Sequence, residues 1–352
     1  MDRKTALMAE TPIDSKTVER ELENLARGVE RWRAAIGERY LGHPEIVEQL
    51  ILCALCGGHA LIEGVPGLGK TTLVKAFAAA LELSFARVQF TPDLMPGDVL
   101  GGRILDEDEK GGRRLRFEPG PIFANVVLAD EINRAGPRTQ SALLEAMAEG
   151  QVTSFGETRA LPEPFLLVAT ENPIEMEGTY PLPEAQLDRF LFQILVPQPN
   201  LRELTAVLDG ASKQVPAARE RIATAADLLR WRGLCAQALA SSEIVQYIAR
   251  VVLATAAREG EAPALVISSV RHGSSPRGGL AMLASAKARA LTRGRLHVTR
   301  EDVDAVALPS LRHRLILSYE GQAADTDRDD LVKAALTHAA SSSSPRNKSG
   351  LD

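Results

Sequence analysis

Residues 64–71 read Gly64-Val65-Pro66-Gly67-Leu68-Gly69-Lys70-Thr71, with Thr72 next, and fit G-x-x-x-x-G-K-[ST]. The apolar run "HALIEG" precedes them and a helix-forming run follows, the strand–loop–helix setting that makes this pattern specific for phosphate. Glycines let successive backbone N–H groups close around phosphate oxygens, and the helix amino terminus adds partial positive charge. In such a loop Lys70 reaches the β- and γ-phosphates of a nucleotide, and the Thr71 hydroxyl binds Mg2+.

Two further strand ends offer the partners that phosphate chemistry needs. "NVVLADEIN" (125–133) is a buried strand ending in Asp130 and Glu131. Open α/β sheets bind ligands at the carboxyl ends of their strands. Asp130 is expected to hold Mg2+, directly or through water, and Glu131 to polarise the attacking water. "PFLLVATENP" (164–173) presents Thr170, Glu171 and Asn172 in the same way, and the Asn172 amide suits orienting that water.

Two arginines break local rules. In "GSSPRGGLAMLASAKARALTRG" (273–294), Ser275 suits an N-cap and Pro276 the first helical position. Arg277 then falls in the first turn, where the helix macrodipole disfavours a cation. An anionic partner near that turn removes the conflict, and a bound nucleotide is the expected one. In "GTYPLPEAQLDRFLF" (178–192), Arg189 stands at the lip of an apolar segment.

The elements that must position these residues alternate. "HALIEG", "SFARVQF", "NVVLAD", "PFLLVAT" and "FLFQILV" read as strands, with helices between them that include 70–82 and 137–149. This pattern predicts a parallel sheet covered on both faces. Before it, residues 16–39 carry an apolar stripe, expected to dock on its own domain, and a second helix lies near 43–57. "RILDEDEKGGRRLRF" and "QVTSFGETRAL" read as hairpin inserts. Past "PQPN" (197–200) the pattern turns helical.

With a net charge of -5 and a pI near 5.8, composition disfavours a chain-wide nucleic-acid surface. No stretch has the length of a membrane helix, so no membrane insertion is expected. Cys53 and Cys56 form a C-x-x-C inside an apolar helical run with no second pair downstream, and are read as core. A reducing cytoplasm fits.

"LIEGVPGLGKT", "LADEINRA", "ATENPIEMEGTYPLPEAQLDRF", "GSSPR" and "LRHRL" together resemble the MoxR family of AAA+ ATPases over about residues 17–340. The resemblance implies an α/β P-loop NTPase domain with a parallel sheet flanked by helices, then a smaller all-helical lid. It implies ATP as ligand between subunits of a homo-oligomeric ring, usually a hexamer. It also implies a chaperone-like remodelling role on a client enzyme or complex, often with a von Willebrand factor A domain partner. By motif, Lys70 and Thr71 belong to Walker A, and Asp130 and Glu131 to Walker B. Asn172 resembles the first sensor, Arg277 the second, and Arg189 the arginine finger, which meets a neighbouring subunit's γ-phosphate.

Family members commonly carry Gln in place of Glu171 and Ala in place of Gly278. The first departure adds negative charge near the nucleotide, and the second is expected to loosen the lid. The domains expected are a flexible 1–15, a nucleotide-binding domain at 16–196 with inserts near 103–117 and 151–161, a lid at 197–340 and a disordered tail at 341–352. A nucleotide-gated scaffold with slow hydrolysis and a nucleic-acid motor are the competing readings.

Overall fold

Leu22, Leu25, Val29, Trp32 and Ile36 are spaced alternately three and four apart, and all are buried along one helix, α1 (Ser15–Gly37). The computed structural model describes residues 15–107, 113–173, 178–211 and 222–341. The expected flexible start up to residue 14, the tail from 342 and the first hairpin's tip at 108–112 lie outside the described residues. The α1 stripe docks more widely than expected. Trp32 Nε1 donates to Phe77 O at 3.3 Å, inside the nucleotide-binding domain. One turn away, a Cβ on Gly28 would come within 2.5 Å of the Trp231 ring, which belongs to the helical part of the chain.

The next helix, α2 (Pro44–Leu55), is apolar along most of its length and buries Cys53. Both cysteines of the C-x-x-C are free thiols, and burial pushes the Cys56 thiol up to about 12. β1 (Ala60–Glu63), α3 (Lys70–Ala79), β2 (Phe85–Gln89) and α4 (Pro96–Leu100) follow. A hairpin of β3 (Gly101–Glu107) and β4 (Arg113–Pro119) then leads to β5 (Val126–Asp130) and α5 (Pro137–Glu149). A second hairpin, β6 (Gln151–Ser154) and β7 (Glu157–Ala160), precedes β8 (Leu166–Glu171), the short α6 (Glu184–Leu187) and β9 (Phe192–Leu195).

All five expected strands pair in parallel in the order β2-β5-β8-β1-β9. Their side chains alternate between two cores, Ala60 and Ile62 facing one and Leu61 the other. A sheet buried on both faces accounts for the continuous apolar runs. The second hairpin turns through Phe155 and Gly156, both with positive φ (53° and 78°), as two-residue hairpin loops of the primed type require. The two hairpins brace each other: the Arg159 guanidinium lies 3.9 Å from the centre of the Phe117 ring, and Arg103 lies 5.2 Å from that of Phe155. Arg116 pairs with Asp106 across the first hairpin at 3.1 Å.

Beyond β9 the chain is helical: α7 (Leu201–Ala211), α8 (Ala225–Gln237), α9 (Ser242–Ala254) and α10 (Ala264–Ser269) come first. After the three residues of β10 (Val270–His272) come α11 (Pro276–Thr292) and α12 (Arg300–Leu311). β11 (Ile316–Leu317), α13 (Tyr319–Ala323) and α14 (Arg328–Ser341) complete the described chain. Among the described residues the lid is helical apart from the antiparallel β10–β11 pair and a single parallel bridge between Leu239 and His297. Asp302 fixes the α11–α12 corner. Fully buried, it accepts from Arg289 at 2.6 Å and from Arg295 at 2.7 and 2.8 Å.

Candidate nucleotide site

β1 ends at Glu63, and the chain turns through Gly67 (φ 85°) and Gly69 (φ 76°) before α3 begins at Lys70. These left-handed angles are what the glycines supply. Lys70 Nζ donates to Gly64 O at 2.6 Å and to Glu171 O at 3.4 Å, so the ammonium lies over its own loop and against the end of β8. Burial lowers its pKa, while Asp130, Glu131 and Glu63 pull the other way. Thr71 and Thr72 open α3, and Val65, Pro66 and Leu68 complete the loop.

Asp130 and Glu131 sit at the end of β5, linked through Thr170 on the neighbouring strand. The Thr170 hydroxyl donates to Asp130 Oδ1 at 2.6 Å and accepts from the Glu131 N–H at 2.9 Å. Glu131 has φ 58°, a left-handed angle that costs a non-glycine residue energy and recurs at functional sites. Its carboxylate Oε2 accepts from Gln89 Nε2 at 2.8 Å and Arg134 Nη1 at 3.1 Å. Asn172 is buried one residue past β8. The structure therefore gathers the loop, Asp130, Glu131 and Asn172 at the carboxyl ends of β1, β5 and β8.

One partner here was missed from sequence. Arg87 on β2 donates to Asp130 Oδ2 from Nε at 3.0 Å and from Nη2 at 2.7 Å. The available signal was the alternation of Arg87 and Gln89, two polar residues on one face of an otherwise apolar edge strand. Mg2+ favours hard oxygen donors. The Thr71 hydroxyl and the Asp130 carboxylate are such donors. Asp130 Oδ1 carries one protein hydrogen bond and Oδ2 two from a single guanidinium, which leaves a lone pair on Oδ1 for a cation.

Glu171 lies opposite Glu63 in the β1–β8 register. Burial, and then the Glu63 charge, push its carboxyl up to about 7. The negative charge expected from this departure is therefore only partly expressed near neutral pH.

Arg189 and Arg277 are elsewhere. Phe192 pairs with Ala60 and Leu195 with Glu63, so Arg189 precedes the amino ends of β9 and β1 while the phosphate loop follows their carboxyl ends. A four-residue strand separates them, about 13 Å at the usual rise. Arg277 stands with Arg189, Asp188, Arg314, Gly58 and His59 around a cleft of about 420 Å3. Ser275 caps α11 as expected, its hydroxyl accepting the Arg277 N–H at 3.2 Å. The anion near the first turn is Asp188: Arg277 Nη1 lies 3.8 Å from its Oδ2. The fold sets Arg277 beside Asp188, at the far end of the sheet from its own chain's phosphate loop.

"LRHRL" also gains a place. Arg314 donates to Asp188 Oδ1 at 2.8 Å, and Arg312 pairs with Asp329 through two bonds at 2.7 and 2.9 Å. His313 Nε2 lies 3.1 Å from Phe190 O. A carbonyl only accepts, so Nε2 carries the proton, and burial lowers the ring to about 3, keeping it neutral.

A P-loop after β1, next to the edge strand of a parallel sheet ordered β2-β5-β8-β1-β9, followed by a helical lid, defines an AAA+ ATPase. A model of the ATPase family associated with various cellular activities matches residues 59–192, and an AAA lid domain model matches 262–335. The chain is 42% identical to Chaperone MoxR1 of Mycobacterium tuberculosis, covering 89% of this chain and 83% of that protein. It is 33% identical to Protein MoxR of Paracoccus denitrificans, covering 87% and 93%. The crystal structure of a candidate ATPase from Cytophaga hutchinsonii superposes with a TM-score of 0.85 at 35% identity, covering 92% of this chain and 97% of that one. The chain belongs to the MoxR family of AAA+ ATPases. No helix among its described residues is long and apolar enough to cross a membrane.

Proposed function

We propose that this chain hydrolyses ATP as one subunit of a homo-oligomeric ring, with Arg189 and Arg277 of one subunit facing the triphosphate held by the next. The observation that carries this reading is the placement of both arginines at the sheet end away from their own phosphate loop. One chain holds the phosphates and cannot bring these guanidiniums to them. A neighbour stacked head to tail can, and heterologous contacts of this kind close into rings. Six subunits is the number that the family resemblance implies.

Within this reading residues 64–72 cradle the phosphates, with Lys70 released from Gly64 O to meet them. Thr71 and Asp130 would hold Mg2+, whose charge would offset that of the phosphate oxygens. Glu131, aimed by Gln89 and Arg134, accepts a proton from the attacking water, and Asn172 orients that water. Arg189 and Arg277 neutralise charge on the transferred group. The cycle of binding and release then drives chaperone-like remodelling of a client in the cytoplasm, with a von Willebrand factor A domain protein as the expected partner. The name of the Mycobacterium relative supports the chaperone element.

Replacing Glu131 with Gln tests the core of this proposal. E131Q should bind ATP as the wild type does and turn over on the order of 10²–10⁴ more slowly. Unchanged turnover would remove Glu131 from its role. The ATP-loaded variant is also the form to use in capturing the client.

A further inference from the structure

Arg314 has no part in the chemistry above, yet its guanidinium is directed almost wholly at the segment that bears Arg189. Nε donates to Asp188 Oδ1 at 2.8 Å, and Nη2 donates to Asp188 O at 3.0 Å and Phe190 O at 2.7 Å. Nη1 donates to Leu191 O at 3.3 Å and to Ser310 O. Five contacts match the five N–H groups of a guanidinium. Three of them grip backbone carbonyls immediately before and after Arg189. Asp188 in turn accepts from the Ser275 hydroxyl at 3.0 and 3.1 Å and faces Arg277 at 3.8 Å. The link therefore runs from the lid, through Arg314 and Asp188, to the N-cap of α11 and its first-turn cation.

We propose that Arg314 is a positioning residue for the arginine face: acting through Asp188, it sets Arg189 of the α/β domain and Arg277 of the lid as one rigid pair presented to the neighbouring subunit. The inference rests on the in-trans reading given above. A planar fork is needed, because an ammonium offers three donors from one point and cannot span Asp188, Phe190 and Leu191 together. Arg312 differs in its attachment. It binds Asp329 and reaches β9 only at Gln193 O, past the arginine-bearing turn.

The test compares R314K with R312K in the full chain, reading ATP affinity, assembly and turnover, alone and in mixtures. R314K should assemble and bind ATP as the wild type does, while turnover falls about 10²-fold, the scale of a small misplacement. Subunits carrying E131Q should restore that turnover, because they supply intact arginines to sites whose Glu131 is intact. Subunits carrying R189A should not. R312K should stay near wild-type turnover. Unchanged R314K turnover, ATP affinity lost in step with turnover, or an equal loss in R312K would each overturn the proposal.

Should R314K fail to fold, D188N keeps the side-chain shape and removes the charge. It should fall into the same mixing class with a smaller loss, and wild-type turnover in D188N would equally overturn the proposal. Recovery in R189A/E131Q mixtures without recovery in R314K/E131Q mixtures sinks this inference alone. Failure of both mixtures sinks the in-trans reading beneath it.

Discussion

At the carboxyl end of β1 the proposed binding groups are a loop with two left-handed glycines and a lysine resting on Gly64 O. At the amino end they are side chains, Arg189 and Arg277, brought together from the α/β domain and the lid around Asp188, which Arg314 holds. The first end is drawn from one stretch of chain and its neighbouring strands. The second exists only once two domains have met, and it faces outward. A local cluster and an assembled cluster thus sit at opposite ends of one strand, and under the proposed in-trans reading that opposition makes a single copy half of an active unit.

The largest effects should separate the two ends by what each loses. R189A should lower turnover on the order of 10³–10⁵, the range for an in-trans guanidinium in phosphoryl transfer, while leaving ATP affinity intact. K70A should lose ATP affinity itself. Equilibrium nucleotide binding measured beside single-turnover rates distinguishes them. If both variants lost affinity alike, the division between a holding end and a donating end would fail.

How much of this was legible follows the same division. The phosphate loop, Asp130, Glu131 and Asn172 could be read because each lies at the end of a short apolar run, and the run predicts the strand that places it. Ser275 and Pro276 announced the start of α11 through capping chemistry alone. Arg314 meeting Asp188 across 126 positions, and Arg87 meeting Asp130 across 43, have no local signature. Such pairs depend on how domains and strands stack, which periodicity does not encode. Arg277 falls between these cases. Its conflict with the macrodipole was visible, but the partner that resolves it was not.

A middle-sized effect belongs to the holding end and depends on pH. The Glu171 carboxyl stands at about 7 against an ordinary 4.5. The folded chain therefore holds this proton more tightly than the unfolded chain, and the associated stability is present below pH 4.5 and lost as pH rises through about 7. E171Q has no charge to bury. Its stability advantage over wild type should grow between about pH 5 and pH 8 by about 2 kcal/mol, since each tenfold difference in proton affinity between the folded and unfolded chains is worth about 1.4 kcal/mol. ATP affinity should follow, with wild type weakening above about pH 7 and E171Q staying flatter. Thermal melts and nucleotide titrations at the two pH values check both. Parallel pH profiles would mean that Glu171 is solvated and that the holding end is more open than its burial indicates.

The smallest effect is the sharpest comparison, because one substitution fails at each end for a different reason. At Gly67 a Cβ would meet nothing within 4 Å, but φ is 85°. G67A should therefore cost roughly 1–2 kcal/mol through backbone strain, and no change in neighbouring residues should relieve it. At Gly278 the backbone is helical, so helix propensity alone favours alanine by roughly 1 kcal/mol. A Cβ there would approach Ser274 Oγ at 2.0 Å and Leu311 Cδ2 at 2.8 Å. The expectation that this glycine loosens the lid rested on propensity, whereas the packing shows it letting α11 close on Leu311 and Arg314. G278A should be net destabilising by about 1 kcal/mol, the low end of overpacking costs. Removing the Ser274 hydroxyl in an S274A/G278A double variant should recover most of that loss, since Oγ is the nearest obstacle. Rescue at the donating end without any comparable rescue of G67A would show that one end is limited by space and the other by backbone angle.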